Sequence, residues 1–100
     1  MKLLIITSIA EFKEEVQQIL RKGQVKSYSF REVTGYRDVT EESVENNWFA
    51  TEMNENVSIM FYAFIPKINV DIVSTLINEF NMKQDTLSRI HFAKIDIENN

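Results

Sequence analysis

The chain has 100 residues, of which 44% are hydrophobic, and its net charge is −4. This length supplies one hydrophobic core but not two, and the negative charge disfavours nucleic acids and anionic membranes as partners. The absence of cysteine excludes disulfides and thiolate chemistry, and the single histidine, His91, excludes a three-histidine zinc site within one chain.

The first third of the chain is expected to form a strand, a helix and a second strand. Lys2–Thr7 is rich in leucine and isoleucine, as in a buried strand. Ser8 and Glu11 have the spacing of a capping box, which predicts a helix that ends at Gly23. The apolar face of this helix comprises Ile9, Phe12, Val16, Ile19 and Leu20. Val25–Thr34 then alternates in polarity like a strand, with its aromatic residues on one side.

The last part of the chain is expected to form strand, helix and strand. Val57–Ile65 is almost entirely apolar and is followed by Pro66, which predicts a buried strand that ends there. Asn69 is expected to cap the second helix. The apolar stripe of that helix comprises Ile72, Val73, Leu76, Ile77 and Phe80. With Arg89–Ile97 as the last strand, the β-α-β-β-α-β order predicts an α+β, ferredoxin-like sandwich: an antiparallel four-stranded sheet with two helices on one face.

Both faces of the predicted sheet carry apolar side chains. In the third strand, one face holds Val57, Ile59, Phe61, Ala63 and Ile65, and the other holds Met60, Tyr62 and Phe64. Two helices cover only one face, and the other would expose more apolar surface than monomers usually do. We therefore expect a homo-oligomer that forms sheet to sheet. The alternative is that residues 35–56 fold back over the open face.

The connection between the second and third strands, residues 35–56, is unusually long. Hairpins typically need about two to five residues, and longer connections are often functional. This one is acidic, and it contains the pair Trp48-Phe49. The pair either anchors the connection on its own or a neighbouring subunit, or recognises another protein, since aromatic residues are enriched in binding hot spots.

Two short patterns resemble a known family. Val33-Thr34-Gly35-Tyr36, which closes the second strand before the long connection, resembles the pattern of the PII-like signalling superfamily, in which a glycine begins the T-loop. Asn47-Trp48-Phe49, followed later by residues 58–62, is similar to a divergent, transporter-associated branch of that superfamily. The resemblance covers nearly the whole chain in element order. It implies a single PII-like domain over residues 1–100, with a T-loop at about 35–56.

The resemblance implies a cytoplasmic, non-enzymatic regulatory protein. Such proteins are homotrimers that sense small effectors in clefts between subunits, and their T-loops reach partners such as membrane transporters, including systems for heavy-metal efflux. The candidate ligand-binding residues are Gly35 and Tyr36, from the matched pattern, and Arg37, Lys83 and Arg89, whose charges would contact an anion in a cleft. The alternative for each of these three charged residues is a solvated surface charge. The residues that contact the partner would be Trp48 and Phe49.

The chain departs from the nucleotide-binding PII pattern in two places. Residues 81–89, which precede the last strand, contain no glycine, whereas the family has a glycine- and lysine-rich loop that binds phosphates. The last residues are Glu98, Asn99 and Asn100 in place of a basic tail. These departures argue against a tightly bound ATP, and the sequence identifies no other cofactor.

Two other classes of function stay open. His91 either packs in an interface or binds a metal, because three symmetric copies would supply three histidines, as in a trimer of the cation-tolerance type. A ferredoxin-like dimeric enzyme of monooxygenase or isomerase type would instead line a pocket between helix and sheet with His91, Trp48, Asn47 or Tyr62. No catalytic motif is found, so no catalytic residue is predicted.

Overall fold

Four strands and two helices form the β-α-β-β-α-β order in the computed structural model, which describes residues 1–36 and 55–98. The elements are β1 (Lys2–Ile9), α1 (Lys13–Lys22, after a 3₁₀ turn at Ala10–Phe12), β2 (Ser29–Tyr36), β3 (Glu55–Ile65), α2 (Lys67–Lys83) and β4 (His91–Asp96). The strands pair antiparallel in the order β2-β3-β1-β4. The predicted ferredoxin-like sandwich is therefore confirmed.

The hydrophobic core lies between the helices and one face of the sheet. Leu4 and Ile6 of β1 pair with Ala63 and Phe61 of β3, and all four side chains are buried. The helices cover them with buried side chains of Val16, Ile19 and Leu20 from α1 and Val70, Val73 and Ile77 from α2. Alternate residues of a strand point to opposite faces, so this register leaves Leu3 and Ile5 on the face away from the helices.

The capping box predicted at Ser8 is wrong. Ser8 belongs to β1, where it pairs with Ile59, and its hydroxyl donates to the carbonyl of Ile9 at 3.0 Å. The helix begins later, at Lys13, and has no side-chain cap. The pairing of β1 with β3 continues through Ile9, and these ladder hydrogen bonds outweigh the local preference of Ser8 for a cap.

The end of α1 at Gly23 is confirmed, but the structural reason differs from the usual one. A left-handed residue commonly follows a helix, and here that residue is Gln24, with a φ of 61°. The Gln24 N–H donates to the carbonyl of Arg21 and the Val25 N–H to that of Leu20, which is the Schellman pattern. Gly23 itself has an ordinary φ of −80°. It is required because α2 passes close by: a Cβ atom at Gly23 would lie 2.5 Å from Cγ2 of Val73.

The predicted cap of α2 at Asn69 is also wrong. The helix begins at Lys67, directly after Pro66, without a side-chain cap. The Asn69 side chain instead donates from Nδ2 to the Gly23 carbonyl at 2.9 Å. Asn69 therefore links the start of α2 to the end of α1.

Several predicted boundaries and faces are corrected. Strand β2 begins at Ser29 rather than at Val25, because Val25 is held in the turn that ends α1. It continues through Gly35 and Tyr36, so the connection to β3 comprises residues 37–54, fewer than predicted. On α2 the buried residues recur at helical spacing, and Ile72 is rotated away from them and is 40% exposed.

Candidate functional site

The sheet face opposite the helices carries two adjacent rows of apolar side chains on β1, β3 and β4, as predicted. Phe64 of β3 is 61% exposed, and its neighbours in register are Leu3 of β1 and, beyond it, Ile95 of β4. The next row towards the other end of the sheet contains Tyr62, Ile5 and Ala93. On the other face, Val57 near the start of β3 is 55% exposed, whereas Ile59 and Phe61 of the same face are buried. The structure thus leaves a large apolar surface on the open face.

One end of the sheet collects most of the predicted ligand-binding residues. Gly35 and Tyr36 close β2 there and pair with Asn56 and Glu55. At the same end β1 finishes and β4 starts, since His91 pairs with Thr7. The connection from α2 to β4 therefore also lies at this end, with Lys83 as the last residue of α2 and Arg89 just before β4. We call this end of the sheet the loop end.

The predicted ligand-binding residues nevertheless fall into two separate groups. Gly35 and Tyr36 are on β2, Arg89 lies two residues before β4, and these two strands are the opposite edges of the sheet. Three strand spacings of about 4.8 Å separate the edges, roughly 14 Å in all. A single chain does not bring the two groups together. Arg37, Trp48 and Phe49 lie outside the described residues.

The α2–β4 connection is fixed by an asparagine that the sequence analysis did not identify. Asn81 Nδ2 donates to the carbonyl of Ile90 at 2.8 Å, and Asn81 Oδ1 accepts from the N–H of Ile90 at 2.9 Å. Ile90 is also buried in the core. Asn81 lies in the last helical turn, and only the fold brings it beside Ile90, so no sequence pattern signals this contact.

The side chain of Arg89 folds back onto this connection. Its Nη1 atom donates to the carbonyls of Thr86 and Ser88. The hydroxyl of Thr86 accepts from the Ser88 N–H at 3.2 Å, which closes the turn. A guanidinium has five N–H donors, so the other nitrogens of Arg89 keep donors for an anion. Lys83 is exposed and makes no hydrogen bond or ion pair with another described residue.

His91 lies on the open face of the sheet, at the edge strand. Burial lowers its pKa below the ordinary value of 6.5, and the positive charge of Arg89 lowers it further. The imidazole is therefore mostly neutral near pH 7. Beside it, the hydroxyl of Thr7 is buried and makes no hydrogen bond with the described part of the chain.

The positions of His91 and Tyr62 test two alternative functions: a metal site and a dimeric enzyme. Residues 1–36 and 55–98 contain no group of three or more histidine, aspartate or glutamate side chains placed to hold a metal. His91 and Tyr62 both lie on the face opposite the helices, so they do not line a pocket between helix and sheet as the enzyme alternative requires. Within the described ranges, neither helix has the length and apolar character to cross a bilayer.

Comparison with known proteins identifies the fold. No family model and no curated protein matches the chain. Among solved structures, it is similar to CPII, a nitrogen regulatory PII-like protein from Thiomonas intermedia K12 bound to ADP, AMP and bicarbonate, with a TM-score of 0.63 and 18% identity over 99% of this chain and 93% of that one.

Two further structures show the same likeness. A DUF3240 family protein from Shewanella baltica OS155 matches with a TM-score of 0.67 and 11% identity, over 99% of this chain and 91% of its own. GlnK of B. subtilis, in complex with ATP, matches with a TM-score of 0.59 and 20% identity, over 94% and 80%. The chain therefore has the fold of PII and PII-like proteins, as the resemblance in its sequence predicted.

Proposed function

We propose that this chain, with its PII fold, is a regulatory protein rather than an enzyme. It forms a homotrimer, binds a small anionic effector in clefts between its subunits, and contacts a membrane transporter through residues 37–54. The observation that carries the proposal is the division of the predicted ligand-binding residues between the two edges of the sheet. Gly35 and Tyr36 meet the Lys83–Arg89 connection only if a neighbouring chain supplies one of the two groups.

The open face of the sheet supports assembly. Phe64, Tyr62 and Ile95 are large apolar residues that the helices do not cover. Burying such surface is worth about 25 cal/mol per Å², and a second copy of the same chain is the commonest cover. Packing of the open faces around an axis would also bring sheet edges of different subunits together, as the divided site requires.

The charges at the loop end favour an anion as effector. Arg89 keeps free guanidinium donors beside two backbone carbonyls, and Lys83 adds an exposed ammonium. CPII, bound to ADP, AMP and bicarbonate, and GlnK, bound to ATP, both hold anions on this fold. For this chain we favour a small or weakly held anion over tightly bound ATP, because residues 81–89 lack the glycines that would bring backbone N–H groups to phosphates.

Regulation follows from where the effector would bind. Gly35 and Tyr36 directly precede residues 37–54, so a ligand there changes the free energy of the same segment that reaches the transporter. By linkage, an effector that binds the free and transporter-bound forms unequally alters transporter affinity by the same factor. Trp48 and Phe49 are the residues of this segment that we expect to contact the transporter.

The first test is the mass in solution. Three copies of the 11.8 kDa chain give about 35 kDa by light scattering, whereas a mass of two copies would favour the enzyme alternative. Phe64→Glu on the open face should dissociate the trimer. Ile72→Glu, which changes an exposed residue of α2, is the matched control and should leave the mass unchanged.

The second test is effector binding by calorimetry with bicarbonate, AMP, ADP and ATP. Arg89→Gln should weaken binding of the effector at least tenfold, because charge-assisted hydrogen bonds are worth about 1.5–3 kcal/mol. Lys94→Gln, at an exposed position of β4, should have little effect. A trimer whose anion affinity is equally insensitive to both substitutions would contradict the proposed cleft.

A further inference from the structure

A cavity of about 560 Å³, open to the surface, lies beside the last turns of α1, away from the loop end. It is lined by Gln17, Arg21, Gln24, Val25, Lys26 and Tyr28. Tyr28 directly precedes β2, and Gly35 lies near the other end of that strand, roughly 20 Å further along at about 3.3 Å per residue. The cavity is therefore separate from the cleft proposed above.

Three of the lining residues, Gln24, Val25 and Tyr28, are held in place by the fold. The hydrogen bonds that end α1 fix Gln24 in its left-handed conformation and bury Val25. The ring of Tyr28 packs against Phe61, with 6.0 Å between centroids, and against Phe30, with 6.5 Å. One aromatic wall and one backbone wall are thus already formed without a ligand. This lowers the free-energy cost of ordering these residues when a ligand binds.

The chemistry of the lining is cationic and amide-rich. Arg21 and Lys26 contribute positive charges, and neither side chain makes an ion pair or hydrogen bond with another described residue. Among the described residues, the lining contains no carboxylate. Two glutamine side chains, Gln17 and Gln24, add donors and acceptors. A local excess of positive charge is notable in a chain whose net charge is −4.

The same side of α1 already forms a contact between a cation and an aromatic ring. Lys13, Gln17 and Arg21 follow one another at intervals of four residues and so share one stripe of the helix. At the first position, Lys13 Nζ lies 4.7 Å from the centroid of Phe30. Two turns further along, Arg21 lines the cavity beside Tyr28, and no aromatic ring of the described residues makes a cation–π contact with it. A ligand with an aromatic ring and an anionic group would give Arg21 both a ring and a negative charge to contact.

We propose that this cavity binds a small organic anion that carries an aromatic ring. The anionic group lies between Arg21 and Lys26, the ring lies against Tyr28, and the glutamine amides bind polar substituents. The volume falls within the range of about 300–1,000 Å³ that is usual for small-molecule sites. This binding site is independent of the proposed regulatory function and requires no second subunit.

The test is an NMR titration of the full chain with phenyl phosphate, with inorganic phosphate and benzyl alcohol as comparison probes. Phenyl phosphate should shift the amide signals of residues 24–28 saturably and bind more tightly than either comparison probe. The double variant Arg21→Gln with Lys26→Gln should lower its affinity at least tenfold, since two charge-assisted contacts are lost. Lys22→Gln removes an exposed cation of the same helix turn that does not line the cavity, and should change the affinity less than about twofold.

The aromatic wall is tested separately with Tyr28→Leu. This variant should weaken phenyl phosphate and leave inorganic phosphate unchanged, because only the ring contact is lost. The proposal is overturned if phenyl phosphate gives no saturable shift below about 10 mM, a Kd that already corresponds to less than 3 kcal/mol. The proposal is also overturned if benzyl alcohol binds as tightly as phenyl phosphate. It is likewise overturned if Lys22→Gln weakens the binding of phenyl phosphate as much as the double variant does.

Discussion

Replacing Gly23 by alanine should destabilise the protein through one steric contact between the helices. The added Cβ atom would lie 2.5 Å from Cγ2 of Val73, where a methyl group normally requires more than 3 Å. Val73 is fully buried, and a β-branched side chain in a helix has little freedom to rotate. The contact is therefore relieved only by moving α1 away from α2.

The size of the effect follows from two opposing terms. Overpacking a tight core position costs about 1–3 kcal/mol. Alanine also restricts the unfolded chain, which returns about 0.4–1 kcal/mol where the backbone accepts it, and the φ of −80° at Gly23 does. The free energy of unfolding should thus fall by about 1–2 kcal/mol.

Urea unfolding at a fixed protomer concentration measures this change, because assembly makes stability depend on concentration. The control is Val73→Ala, which removes the methyl group that clashes. In the Val73→Ala background, the Gly23→Ala substitution should cost less than about 0.5 kcal/mol, since the two residues are coupled directly. An equal loss in both backgrounds, or no loss in the natural one, would refute the steric explanation.

Substitutions at three further positions, Gln24, Asn81 and His91, test other features of the structure. Gln24→Gly should raise the unfolding free energy by up to about 1 kcal/mol, because Gln24 adopts a left-handed conformation that glycine accepts without strain; an unchanged urea midpoint would contradict this. Asn81→Ala should cost about 1–3 kcal/mol by removing both hydrogen bonds to Ile90, and Asn81→Asp, which keeps the acceptor, should cost less. The pKa of His91 is lowered, so its contribution to stability should be complete above pH 6.5 and should be lost as the pH falls below that value. His91→Gln should flatten this part of the pH profile, and an unaltered profile would show that other groups cause it.

The element order and most of the core could be predicted from periodicity alone. The alternation in β3 and the spacing of Val16, Ile19 and Leu20 in α1 are local patterns, and burial followed them. The errors arose where distant partners decide the structure. Ser8 was predicted to cap a helix, but pairing with Ile59 keeps it in a strand, and Asn69 bonds to Gly23, 46 residues away, rather than capping its own helix.

The candidate site was predictable only in part, for the same physical reason. The resemblance named Gly35, Tyr36 and Arg89, but the strand order that sets two of them on the opposite edge from the third is a tertiary property. The role of Asn81 likewise depends on the packing of α2 against β4. Sequence patterns identify residue types suited to an anion, and the sheet topology decides which of them one chain can bring together.

The two proposed sites should differ in how their ligand affinity depends on protomer concentration. A ligand held between subunits binds the assembled form preferentially, so its apparent affinity should rise with protomer concentration while the ligand, in turn, stabilises the trimer. The cavity beside Tyr28 is built from one chain, so its affinity should not depend on protomer concentration. Phe64→Glu, by dissociating the trimer, should therefore abolish anion binding at Arg89 and leave the binding of phenyl phosphate between Arg21 and Lys26 unchanged. If a folded Phe64→Glu monomer binds neither the anion nor phenyl phosphate, the cavity also depends on assembly.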